Sequence, residues 1–240
     1  MNNILFPFIF VLGLIHSLYA QEAPFKKISQ KEEAMLVEIF NEIQVRDQKY
    51  RDYLAAGTLD DRIIARLDSV GDQHGVEAYI KYRKSLNLSL EKEVRDSLWA
   101  LQHQLDLANH LQYRGILRTY GFIPKKVLGK IHYIQILLLM HPPAAWDVQA
   151  YLDSYITLLR PEVEAGRMPA KVYAQFYDDI KVKILKEMQL YGAIQRFDHK
   201  SNSIQPPIIE NLAKSNQARK AIGLEPLKEG EYVLAADIEE

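Results

Sequence analysis

Apolar residues recur along this chain at intervals of three and four, and glycine or proline interrupts them at intervals. Over 31–56, Met35, Ile39, Ile43 and Val45 stand among Glu, Lys and Arg at helical spacing, and Gly57 offers a C-terminal cap. The pattern predicts a second helix over 59–70 closed by Gly71, a third over 76–86, and a fourth over 90–120 with Ser89 as its N-cap. Gly121 and Pro124 mark a turn before a helix over 125–140. His141-Pro142-Pro143 stops that helix, because the residue before a proline is pushed out of the helical region. Further helices are expected over 146–159 and, starting at Pro169, over 170–191 as far as Gly192, with Pro161 and Gly166 bounding the turn between them. The stretch 196–205 reads as a polar loop and 208–222 as a short helix before Gly223. No run alternates strictly and no Asn-Gly hairpin signal separates strand-like runs. The expectation is an all-α fold, a single multi-helix domain of roughly seven helices.

Helical wheels pick out polar residues on apolar faces. On the fourth helix, Val94, Leu98, Leu101, Leu105, Ala108 and Ile116 make a stripe; Asn109 falls within about 50° of its centre and Asp106 on its flank. His103, Asp106 and His110 share one side at i, i+3 and i+7, the spacing of a metal site. The wheel turns both histidines to solvent, so the expectation is an exposed polar face, with no metal and no cofactor. On the next helix the stripe is Val127, Leu128, Ile131, Ile134 and Leu138. Gln135 lies inside it and His141 stands at its end. A buried amide or imidazole needs partners, and Asp106 and Asn109 are the expected ones. On 170–191 the wheel buries Tyr173, Phe176, Tyr177, Ile180, Ile184, Met188 and Tyr191, places Glu187 within about 40° of the stripe's centre, and turns Asp178 away.

Charge and composition narrow the function classes. The 240 residues are 48% hydrophobic and 25% charged, values of an ordinary globular chain. A net charge of −1 gives no electrostatic footprint for nucleic acid. The absence of cysteine excludes disulfides, thiol catalysis and a lipoprotein anchor. An uncharged apolar run at 4–14, followed by Ala20, reads as a secretory leader. The division expected is a signal peptide over 1–20, a linker over 21–30, a helical domain over 31–228 and a tail over 229–240. Localisation would be periplasmic or secreted, with retention as an N-terminal membrane anchor as the alternative. No integral span would remain after cleavage. A nucleophile elbow, a His-Glu-x-x-His pair, a P-loop and a Gly-x-Gly-x-x-Gly turn are all absent.

The order of several short motifs resembles a bacterial family known only as a domain of unknown function. They are Asp47-Gln48 with Arg51, Asp106 with Asn109, Tyr120-Gly121, Val127 with Gly129, His141, Tyr191-Gly192, and Arg219 with Gly223-Leu224 and Pro226. The chain departs from that pattern at Phe122, at Asp178-Asp179-Ile180 and at Ala193. The resemblance implies one domain and no particular activity. Two functions fit these readings. One is a non-enzymatic module of the cell envelope that binds a small ligand or an envelope protein. The alternative is an envelope hydrolase or lyase in which His141, helped by Asp106, moves protons; Asn109, Gln135, Tyr191 and Arg219 would then bind the substrate.

Overall fold

The structure, a computed structural model, describes residues 28–198 and 203–238. The expected leader and most of the linker lie outside the described residues. The fold is mostly helical, and no helix among the described residues is long and apolar enough to cross a membrane. The described residues divide into two compact units, 44–105 on the one hand and 28–43 with 106–238 on the other.

The first unit contains the end of α1 (Gln30–Gln48), then α2 (Arg51–Ala56), α3 (Asp61–His74), α4 (Val76–Ser85) and the first part of α5 (Lys92–Tyr120). The helix expected over 31–56 breaks at Lys49-Tyr50, where the Tyr50 N–H donates to Gln102 Oε1 at 3.0 Å. Asp47 is fully buried at this break and pairs with Arg51 at 3.3 Å. Gly57 takes the left-handed conformation (φ 71°) and its N–H closes α2 on the Tyr53 carbonyl, as expected of a C-terminal cap. Gly71 does not end α3; the helix runs on to Gly75, whose φ of 81° no L-residue favours. One interior glycine costs only about 1 kcal/mol, so α3 passes through it. Ser89 is not a cap either, since α5 begins at Lys92.

The second unit holds α6 (Lys125–Leu128), α7 (Ile134–Met140), α8 (Val148–Glu164), α9 (Ala170–Asp179) and α10 (Leu212–Lys220). It also has an antiparallel pair, β1 (Arg196–Asp198) with β2 (Ser203–Gln205), and a parallel pair, β3 (Ile208–Ile209) with β4 (Val233–Leu234). Four expected boundaries are corrected here. The 125–140 helix splits because Gly129 takes φ 58° and starts a 3-10 turn over Gly129–Tyr133. α8 runs through Pro161, which forfeits a single backbone bond near the helix end, and the turn falls at Gly166 instead. α9 widens into a π turn over Ile180–Ile184 and stops, with Lys186 left-handed at φ 58°. Within the expected polar loop, 196–198 and 203–205 are strands, as is the start of the expected 208–222 helix, paired by backbone bonds that the sequence pattern does not reveal.

The core of this unit is aromatic. Phe40, Tyr113, Phe122, Tyr151, Tyr155, Tyr173 and Phe176 are all buried, with Leu138, Leu139, Leu152 and Leu159 between them.

Candidate functional site

The buried face of α5 runs Leu98, Gln102, Asp106, Asn109, His110, Tyr113, Ile116 and Leu117, in steps of three and four. Asp106 and Asn109 are buried, as the wheel indicated. His110 corrects it: expected at the surface, it is fully enclosed, while Leu101 and Leu111 are exposed. The wheel was centred on the apolar side chains. The true stripe carries a polar block, Gln102 to His110, between apolar ends, and continuing it from Leu98 through Tyr113 to Leu117 would have found His110. His103, by contrast, is partly exposed and stacks on Trp99 at 5.6 Å.

Both ring nitrogens of His110 are engaged. Nε2 lies 2.7 Å from the backbone carbonyl of His141, and Nδ1 lies 2.7 Å from the Tyr155 hydroxyl. A carbonyl only accepts, so Nε2 carries the proton and, in the neutral ring, Nδ1 accepts from Tyr155. Burial holds the Tyr155 hydroxyl far above its ordinary range, which keeps it a donor. Tyr151 and Tyr155 stand edge-on to the imidazole at 5.4 and 5.7 Å, and Trp146 lies against it at 5.9 Å. Tyr151 in turn donates to the Leu139 carbonyl at 2.9 Å, fastening α8 to the end of α7. A nitrogen facing a carbonyl and another facing a hydroxyl leave His110 no lone pair for a metal.

Gln135 is fully buried, but Ile123 rather than Asp106 or Asn109 meets it. Its Oε1 accepts from the Ile123 N–H at 3.1 Å and its Nε2 donates to the Ile123 carbonyl at 2.8 Å. Gln102 does the same across the α1–α2 break, accepting from Tyr50 and donating to the Arg46 carbonyl at 3.2 Å. Gln189 repeats it on Ile194, at 2.9 and 2.7 Å. Each primary amide stands in for a strand partner at a place where the backbone leaves a helix.

Carboxylates do similar work. Glu162 accepts from the Phe122 N–H at 3.0 Å and takes a two-pronged contact from Arg167 at 2.7 Å on each oxygen. The Glu162 carboxylate packs onto Gly121 so closely that a Cβ there would lie 2.8 Å from its Cδ, which explains a glycine at φ 79°. Asp178, expected to point away from the core, is fully buried and accepts from the N–H groups of Leu190, Tyr191 and Ala193 at 2.8–3.2 Å. Burial pushes its pKa up to about 6, against the pull of those amides and of Arg219. Glu187, set near the apolar stripe by the wheel but with its carboxylate expected to reach water from the helix end, is exposed and pairs with Lys181 at 2.8 Å; the helix ends before it.

The remaining candidates separate. Tyr191 is buried against Tyr173 and Tyr177, and its carbonyl accepts from Arg219 Nη1 at 2.7 Å. Arg219 Nε donates to the Glu225 carbonyl at 2.6 Å, so two of its donors hold backbone. His141 is partly exposed. Desolvation holds the buried Asp179 carboxyl above its ordinary range, against the pull of Lys183 at 2.5 Å and, more weakly, of His141. The structure thus brings His110 and His141 together, and places Gln135 at the Ile123 turn and Arg219 at the Tyr191 turn. Among the described residues no three His, Asp or Glu side chains converge as metal ligands.

No known family model matches the chain, and no curated protein or solved structure is significantly similar to it.

Proposed function

We propose that this chain is an exported helical module of the cell envelope that binds a ligand or partner without transforming it. The observation that carries the reading is the occupation of the polar side chains suited to chemistry. Gln135 spends both amide atoms on one residue's backbone, His110 spends both nitrogens on a carbonyl and a tyrosine, and Asp106 and Asn109 are sealed from solvent. A general acid or base must reach a substrate proton, and a fully enclosed group with its lone pairs taken does not. Export rests on the apolar run before Ala20, and membership of the bacterial family on the order of the motifs from Asp47 to Pro226.

The ligand-binding surface of such a module is where the aromatic core reaches solvent, at the partly exposed Trp146 and His141. A second reading rests on the same place. The part-exposed His141 imidazole, whose charge reaches the buried Asp179 carboxyl, is the acid–base group of that reading. One experiment separates the two. Compounds that raise the melting temperature of the purified protein are incubated with it and recovered for mass spectrometry. The module reading expects them unchanged. Turnover that disappears in Asp179→Asn contradicts it and establishes the enzyme. Separately, an N-terminal sequence beginning at Gln21 in the envelope fraction supports export, and an uncleaved cytosolic chain overturns it.

A further inference from the structure

Arg114 differs from three other arginines of this unit. Arg160, Arg167 and Arg219 each donate to a carboxylate or a carbonyl. Arg114 makes no ion pair among the described residues, and its buried Nε–H finds no acceptor there. The residue as a whole is partly exposed, and its guanidinium lies over the Trp146 ring, 5.1 Å from the centroid. Against the larger effect of burial, its charge also pulls down the ionisation of the Tyr155 hydroxyl, the group that bonds His110.

These facts define a half-built receptor. A buried N–H donor is nearly always bonded in a native protein, because leaving it unpaired costs about 1–3 kcal/mol. A guanidinium presents parallel N–H groups in a plane, and the acceptor that matches two of them at once is a planar oxyanion. Trp146 backs the cation with its ring and keeps it from folding away. The partly exposed Trp146 ring supplies an aromatic face there, backed by the buried Tyr151 ring at 5.8 Å. A single positive charge on an aromatic wall favours a monoanion with an apolar body over a multiply charged phosphate. We propose that Arg114 and Trp146 form a binding site for a small carboxylate. This deepens the module reading by naming its ligand class, and it moves the anion-binding role from Arg219, whose donors hold backbone, to Arg114.

The test is a titration of the full mature chain with benzoate, followed by the Arg114 Nε–H resonance and Trp146 fluorescence in a Trp99→Phe background. A saturable shift of both is expected. Arg114→Gln, verified as folded by circular dichroism, should weaken binding about tenfold or more, the loss of one charge-assisted hydrogen bond. Arg114→Lys keeps the charge without the fork and should fall between. N-acetylphenylalanine against its amide, and free benzoate against a peptide ending in phenylalanine, distinguish a free acid from a chain terminus; either acid binding supports the site. Equal binding of acid and amide, or a benzoate response that survives Arg114→Gln, overturns it. Failure of all carboxylates defeats this inference alone, whereas the module reading falls only when a bound compound is turned over.

Discussion

At the scale of the residue, side-chain amides and carboxyls in this protein replace missing backbone partners. Gln135 is the clearest case, because the Ile123 N–H that it satisfies is buried between a turn and a helix. Gln135→Leu keeps the volume and removes the acceptor, and should cost about 2 kcal/mol of folding free energy in urea denaturation. A variant as stable as the wild type would show that the bond is dispensable. His132 gives a pH signature at the same turn. It is buried against Phe122 at 5.4 Å, and desolvation, with Lys125 adding to it, lowers its pKa to about 4. The unfolded residue takes up its proton near pH 6.5, the folded one near 4. Its contribution is therefore complete above about pH 6.5 and is lost as pH falls towards 4, by about 3 kcal/mol over the whole window. Asp178, raised to about 6, titrates in the overlapping range with the opposite sign, so the wild type alone does not isolate His132. The comparison that does is wild type against His132→Phe: wild-type stability should decline relative to the variant between pH 7 and 4.5. Parallel curves would place His132 in water.

At the scale of the element, the interesting places are the helix ends. α9 does not run to Gly192 because Asp178 gathers three backbone N–H groups from 190–193 and Lys186 turns left-handed. Those amides are bonded without a continuing helix, and the Arg219 bond to the Tyr191 carbonyl secures the other side of the turn. Asp178→Asn replaces one acceptor oxygen by a donor facing N–H groups. It should destabilise the protein by about 2–4 kcal/mol in chemical denaturation, with the largest gain in hydrogen exchange at Leu190, Tyr191 and Ala193. A neutral effect would mean that the carboxyl is not the organiser of the turn. The Glu162–Arg167 clamp performs the equivalent role at Gly121-Phe122, at the end of α5.

At the scale of the molecule, a chain without cysteine builds its larger unit around buried tyrosines and phenylalanines, with the Tyr151 hydroxyl directed at the Leu139 carbonyl and the Tyr155 hydroxyl at His110. The helical class was legible from periodicity, and so was the burial of Asp106, Asn109 and Gln135 on helix faces. The partners were not legible. Gln135 meets a backbone only 12 residues away, where the wheel pointed to a neighbouring helix, and wheels centred on the apolar side chains turned His110 and Asp178 outward. The short strands escaped because each is two or three residues long, too short to show alternation. The central claim is that the buried polar residues are committed to holding the chain where its helices break. Native-state hydrogen exchange at the Tyr50, Ile123 and Ile194 amides tests it most directly, since all three lie outside helices and strands and each is bonded to a buried glutamine. The account predicts protection approaching that of helix-core amides such as Tyr155; exchange at the rate of an open loop would contradict it.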